Sequence, residues 1–145
     1  MIINAKDISI IRYSTSENWV KNLPNANWLC ILLDNNRSRN YLNEVISKLI
    51  HHDVCYVCTI GKSCEKTHDL VDEEIIFRVV DIENPYLPKH SILTTWHTDF
   101  EEGIHFAIFS AQHERVLINK IVLLDMTEGA EISRINKLLD NYVTS

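Results

Sequence analysis

Four short apolar segments recur along the chain, and the stretches between them carry apolar residues at helical spacing. The segments cover residues 28–33, 54–60, 92–95 and 121–124. Short continuous apolar runs are typical of parallel strands that helices cover on both faces. Strands that alternate with helices in this way predict one α/β domain, a three-layer Rossmann-like sandwich with a mostly parallel sheet and helices on both of its faces.

The intervening stretches predict the helices. Residues 38–51 carry paired apolar residues every four positions, and residues 100–114 and a final stretch from 129 onward also show helical spacing. Residues 62–83 have helical spacing too, although their β-branched part at 75–80 also fits a strand. We favour a helix over 62–83, with the strand as the open alternative.

Length and composition are those of a single globular domain. The 145 residues fit one domain, residues 1–145, and residues 1–27 are predicted to pack on an edge of the sheet. That segment contains a β-like piece at 8–13 and a short helix around 17–22. No apolar stretch approaches the ~20 residues that a membrane helix requires, and Asp7 interrupts any hydrophobic leader. We therefore expect a cytoplasmic protein.

The cysteines bear on metal and redox chemistry. There are four of them, Cys30, Cys55, Cys58 and Cys64, and the spacing of Cys55 and Cys58 matches a metal or redox motif. Residues three apart on an extended strand point to opposite faces, so both sulfurs cannot bind one ion. We expect buried thiols of a reducing compartment, and neither a metal nor a cofactor is predicted.

Gly61, Lys62 and Ser63 follow the second apolar segment, where a phosphate-binding loop would lie. Such a loop also requires a glycine five positions before its second glycine, and Tyr56 occupies that position here. A complete phosphate-binding loop is therefore excluded. Two interpretations remain, a modest anion site at a helix N-terminus or a turn in which Ser63 caps the next helix, and the turn is favoured.

Three acids, Asp34, Asp99 and Asp125, follow predicted strands. Ligand sites in parallel α/β sheets lie beyond the carboxyl ends of the strands. With His97 as a general base oriented by Asp99, these residues predict an alternative function, a small enzyme or ligand sensor that binds Mg²⁺ or a nucleotide. The competing interpretation assigns Asp99 to the cap of the helix beginning near residue 100 and the other two acids to turns.

Negative charge is the third functional feature. The formal net charge is −6, and such a surface attracts a basic partner and repels nucleic acid. A solvated helical face that keeps a small protein soluble is the competing interpretation. If the charge serves binding, the partner-contacting residues are Asp69, Asp72, Glu73, Glu74, Glu101 and Glu102.

A compact acidic chain that is rich in Asn and Ile and lacks a complete catalytic motif resembles the immunity proteins of bacterial toxin–immunity pairs, including those of contact-dependent growth inhibition. The resemblance is one of overall character and assigns no site residue. It implies a cytoplasmic protein that binds one cognate toxin domain, often a nuclease, and blocks it. Our main hypothesis is therefore an acidic binding module, monomeric or weakly dimeric, without a membrane partner. A structural subunit that self-associates around Trp19, Trp28 or Tyr86 is a third hypothesis.

Overall fold

A six-stranded sheet forms the centre of the molecule. The computed structural model describes residues 1–35 and 39–144. The strands are β1 (Ile2–Ile3), β2 (Lys6–Arg12), β3 (Trp28–Asp34), β4 (Tyr56–Ile60), β5 (Leu93–His97) and β6 (Lys120–Met126). They lie in the order β1-β2-β6-β3-β4-β5, and every neighbouring pair is parallel except β1 with β2.

Helices cover both faces of this sheet. They are α1 (Leu42–His51), α2 (Cys64–Val80), α3 (Phe100–Phe109) and α4 (Ile132–Thr144). Helices α1 and α2 pack with Cys30 and Leu32 on one face, whereas α3 and α4 pack with Leu29 and Ile31 on the other. Every position of β3 is buried because its side chains alternate between these two layers. The predicted three-layer α/β sandwich is therefore confirmed.

Helix α2 confirms the helical interpretation of residues 62–83. Its inner stripe includes Thr67, Val71 and Arg78, which are buried against the sheet and α1. Within 75–80, Ile75 and Arg78 continue this stripe, and their packing holds the β-branched stretch in a helix although Ile76, Val79 and Val80 are exposed.

The other helices differ from prediction at their ends. Helix α3 stops at Phe109 and does not reach residue 114, because the side chains of Asn4 and Lys6 each donate to the Ile108 carbonyl at 3.0 Å. These donors satisfy a carbonyl that a longer helix would have used. The predicted start of α1 at Ser38 lies outside the described residues, and α1 follows a 3-10 turn, Arg39–Tyr41.

The N-terminal segment supplies two strands. Asn4 and Ala5 have φ values of 53° and 59° and connect β1 to β2, as a two-residue hairpin turn with two positive φ angles requires. β1 is the outermost strand, and β2 lies between β1 and β6. The predicted short helix around 17–22 is a 3-10 helix, Trp19–Asn22.

The order of the strands places a topological switch point between β3 and β6. The chain leaves β3 towards α1 on one face, and it leaves β6 towards α4 on the other. Crevices for ligands form at such points in open α/β sheets. Across residues 1–35 and 39–144, none of the helices has the length and apolar character that crossing a bilayer requires.

Candidate functional site

Asp34 and Asp125 end neighbouring strands at the switch point, but they face opposite layers. Both are buried, with exposed fractions of 3% and 1%. Asp34 accepts a hydrogen bond from the Thr67 hydroxyl of α2 at 3.3 Å. Asp125 accepts from the Thr127 backbone amide at 2.8 Å and holds the turn after β6. Each acid therefore has a structural role on its own side of the sheet.

His97 and Asp99 lie at the end of β5, two strands from β3 and three from β6. Asp99 caps α3 by accepting from the backbone amide of Glu102 at 2.9 Å. The partner of His97 is not Asp99, because His97 Nδ1 lies 2.9 Å from Glu102 Oε2 and Nε2 lies 3.0 Å from Thr95 Oγ1. Strand β4 separates this pair from Asp34, so the structure does not assemble the four residues of the enzyme hypothesis into one site. Within the described part of the chain, no three His, Cys, Asp or Glu side chains are grouped to hold a metal ion.

A polar cleft of about 480 Å³ lies at the carboxyl ends of β2 and β6, and its residues were not singled out from the sequence. The Arg12 guanidinium donates to the Glu128 carbonyl across it at 2.6 Å. Burial, with the nearby Glu44 and Tyr41, raises the pKa of the Tyr13 hydroxyl. The acids and the single cation that line the cleft do not select one class of ligand. The lining residues are Arg12, Tyr13, Ser14, Thr15, Glu17, Tyr41 and Glu128.

The backbone geometry of the turn from Gly61 to Ser63 requires glycine at its first residue. Gly61 has a φ of 120°, and a Cβ there would lie 2.7 Å from the Asp34 carbonyl oxygen. Only glycine fits this approach without strain. Ser63 occupies the N-cap position of α2, but its side chain makes no capping hydrogen bond, so the predicted hydroxyl cap is absent.

All four cysteines are buried free thiols. Burial raises the pKa of Cys55 to about 11 and that of Cys58 to about 12. The expectation that these two point to opposite faces is wrong, since both pack in the core layer beneath α3. Cys55 precedes the first residue of β4, so strand alternation does not apply to it.

Two of the six acids assigned to partner binding contact β5, one from each face of the sheet. On α2, Asp72 accepts from the Thr94 hydroxyl at 2.7 Å. On α3, Glu102 contacts His97 at 2.9 Å. Because Thr94 and His97 both belong to β5, two acidic helices frame this one edge of the sheet.

Some of these acids already have partners within the fold. His68 lies 3.0 Å from Asp69 and 3.4 Å from Asp72. Glu74 pairs with the buried Arg78 at 2.8 Å, which removes it from the exposed acidic surface. In contrast, the side chains of Glu73 and Glu101 are exposed and form neither an ion pair nor a hydrogen bond with any described residue.

The end of α2 and the turn after it expose a group of large apolar side chains, which we call the α2 patch. The sequence concealed it because the same helical spacing is typical of a buried face. Asp69, Glu73, Ile76 and Val80 follow one another at helical spacing along the outer side of α2, so acidic and apolar residues share that side. The patch comprises Ile76 (61% exposed), Phe77 (59%), Val79 (67%), Val80 (69%) and Ile82 (98%).

Comparisons with known proteins place the chain by family alone. The model of one family, described as a domain of unknown function (DUF7684), matches residues 8–142. No curated protein and no solved structure shows significant similarity to the chain.

Proposed function

The chain belongs to this family of domains of unknown function, and we propose that it is an acidic protein-binding module, an immunity protein that neutralises a cognate basic toxin domain. The toxin domain is a nuclease, and the two proteins meet in the cytoplasm. Binding is direct and requires no cofactor.

The α2 patch is the observation that supports this proposal. The last turns of α2 carry large apolar side chains on their outer side as well as their inner side, and the sheet and α1 cover only the inner one. Clustered exposed apolar side chains of this kind mark a surface that binds a partner. Burial of one Val or Ile side chain contributes about 1.5–3 kcal/mol. A partner that covered two of the five patch residues would gain roughly 3–6 kcal/mol before the costs of association.

Charge favours a basic protein over a second copy of the chain. Glu73 precedes the patch on α2, and Asp81 and Glu83 flank its last residue, Ile82. If two copies packed their α2 helices antiparallel through the patch, Glu73 of one would approach Asp81 and Glu83 of the other. Like charges at that distance disfavour pairing, whereas Lys or Arg beside an apolar anchor would be attracted.

The test compares three tagged baits in cytosol from the source cells, with quantitative mass spectrometry at low and high salt. The wild type should recover one basic protein stoichiometrically. An Asp69→Lys/Glu73→Lys bait should recover at least tenfold less of it. Glu17→Lys/Glu44→Lys is the matched control, because it makes the same change of charge on exposed residues near β2, and it should recover as much as the wild type.

The proposal requires both recovery of a partner protein and inhibition of that partner's activity. The recovered protein should degrade nucleic acid, and the wild-type chain should block that activity at equimolar amounts. An Ile76→Ser/Val80→Ser variant should lose the block by at least tenfold. Recovery of the chain alone would refute the proposal, as would a partner whose activity the chain leaves unchanged.

A further inference from the structure

Strand β5 is an open edge of the sheet. It pairs with β4 through alternate residues, since Leu93 donates to Cys55 at 3.1 Å and Gly61 donates to the His97 carbonyl at 3.4 Å. In a parallel ladder the residues between them direct their backbone N–H and C=O groups to the other side. Those residues are Thr94 and Trp96, and no described residue supplies a backbone partner on that side.

The usual protections of an edge strand are absent from β5. Its sequence is Leu-Thr-Thr-Trp-His, without the Lys, Pro or acidic residue that blocks strand addition in many sheets. At the opposite edge, β2 is covered by β1. The side chains of Leu93 and Trp96 are 38% and 44% exposed, so the edge is accessible.

We propose that this edge binds an extended basic segment of the partner protein, which adds to the sheet beside β5. Successive side chains of an added strand point to opposite faces. Asp72 lies beside β5 on the α2 face and Glu102 on the α3 face. Neighbouring Lys or Arg residues of one segment therefore reach acids on both faces. A second copy of β5 would instead bring the same acids together. This inference rests on the proposed function and specifies how the partner is held.

A synthetic peptide tests the edge without the natural partner. The probe is a capped octapeptide with the sequence Lys-Lys-Val-Val-Lys-Lys-Val-Val. Trp96 reports binding by fluorescence, because Trp19 and Trp28 are buried at 6% and 0% exposure. Trp96→Phe identifies the part of the signal that comes from Trp96. The unmodified peptide should bind saturably. The same peptide with every backbone amide N-methylated keeps its side chains and charge but loses its donors, and its affinity should fall at least tenfold.

A pair of variants makes the same test on the protein. Thr94→Pro removes an outward N–H and leaves the inward ladder intact, as proline on an edge strand allows. Thr94→Val is the matched control, since both variants lose the hydroxyl that contacts Asp72. Peptide affinity should fall at least tenfold in Thr94→Pro relative to Thr94→Val. The N-methylated peptide needs no variant, so it decides the question even if Thr94→Pro does not fold.

The outcomes separate this inference from the proposed function. Equal affinity of the methylated and unmethylated peptides would overturn strand addition and indicate charge attraction alone. Recovery of the chain without a partner would overturn the proposed function, whereas the peptide experiment tests the edge independently. If a toxin is recovered, Thr94→Pro should weaken its binding relative to Thr94→Val, and equal binding would overturn the inference while the immunity function stands.

Discussion

Replacement of Arg78 by Met should destabilise the protein by about 3 kcal/mol. The Arg78 side chain is buried at 8% exposure and connects α2 to two other parts of the fold. It donates to Glu74 Oε1 at 2.8 Å, to the Ser47 hydroxyl at 3.0 Å and to the Tyr86 carbonyl at 2.9 Å. The Met side chain fills similar space without any donor, so these three acceptors lose their partner.

The magnitude follows from the exposure of the acceptors. Removal of one partner from a buried ion pair costs about 3–5 kcal/mol. The Glu74 side chain is 29% exposed, so water solvates it in the variant and the loss lies at the lower end of that range. Glu74→Gln should cost roughly 1 kcal/mol or less, because Arg78 retains its neutral acceptors.

Urea denaturation of the two variants checks this reasoning. A loss of about 3 kcal/mol corresponds to roughly 6–12 °C in the melting temperature of a domain of this size. If the slope of the unfolding free energy against urea concentration is the same in both variants, their unfolded states are comparable. The argument would be refuted if Arg78→Met lost less than about 1 kcal/mol, or if Glu74→Gln cost as much as Arg78→Met.

Three further predictions concern pH, backbone strain and ligands. Burial, together with Arg78, Lys48 and His52, lowers the pKa of His51. The free energy of unfolding should therefore decline as pH falls from about 6.5 through the folded-state pKa. In thermal melts measured at a series of pH values, His51→Gln should reduce this decline. Gly61→Ala should cost about 3 kcal/mol in urea denaturation, since its Cβ would lie 2.7 Å from a carbonyl oxygen at a φ of 120°, and a loss below about 1 kcal/mol would contradict that geometry. Mg²⁺ and nucleotides should leave the melting temperature unchanged, because the strand-end acids have internal partners. A stabilisation of about 2.7 kcal/mol by a ligand at 100 times its dissociation constant would instead support the enzyme hypothesis.

Local sequence pattern was sufficient to predict the layers of this fold. Each segment between 28 and 125 carries its own period, continuous in strands and helical between them. Over residues 62–83 the pattern favoured a helix but left a strand open, and the structure shows the helix. The position of β6 could not be predicted in this way. β6 lies between β2 and β3 although it follows them by many residues, and strand order of this kind depends on long-range packing.

The candidate site shows the same limit. From the sequence, Asp34, Asp99 and Asp125 were equivalent acids after strands, but their facing depends on register and on strand order. The exposure of Ile76 and Val80 was equally hidden, because helical spacing does not show whether one side of a helix or both are covered. Of the six acids chosen from the sequence, Asp72 and Glu102 contact β5, and Glu74 instead pairs with the buried Arg78.

The division of roles among the acids explains why the proposed binding surface lies beside the sheet. Asp34, Asp99 and Asp125 bond to hydroxyl or amide groups at the carboxyl ends of the strands, where many α/β proteins place a ligand. Glu73 and Glu101 have no such duty and stand on helices that flank β5. A partner that approached from this side would meet charge before apolar surface. Mutation of the acids should therefore mainly slow association, whereas mutation of the α2 patch should mainly speed dissociation, and stopped-flow mixing with the recovered partner separates the two.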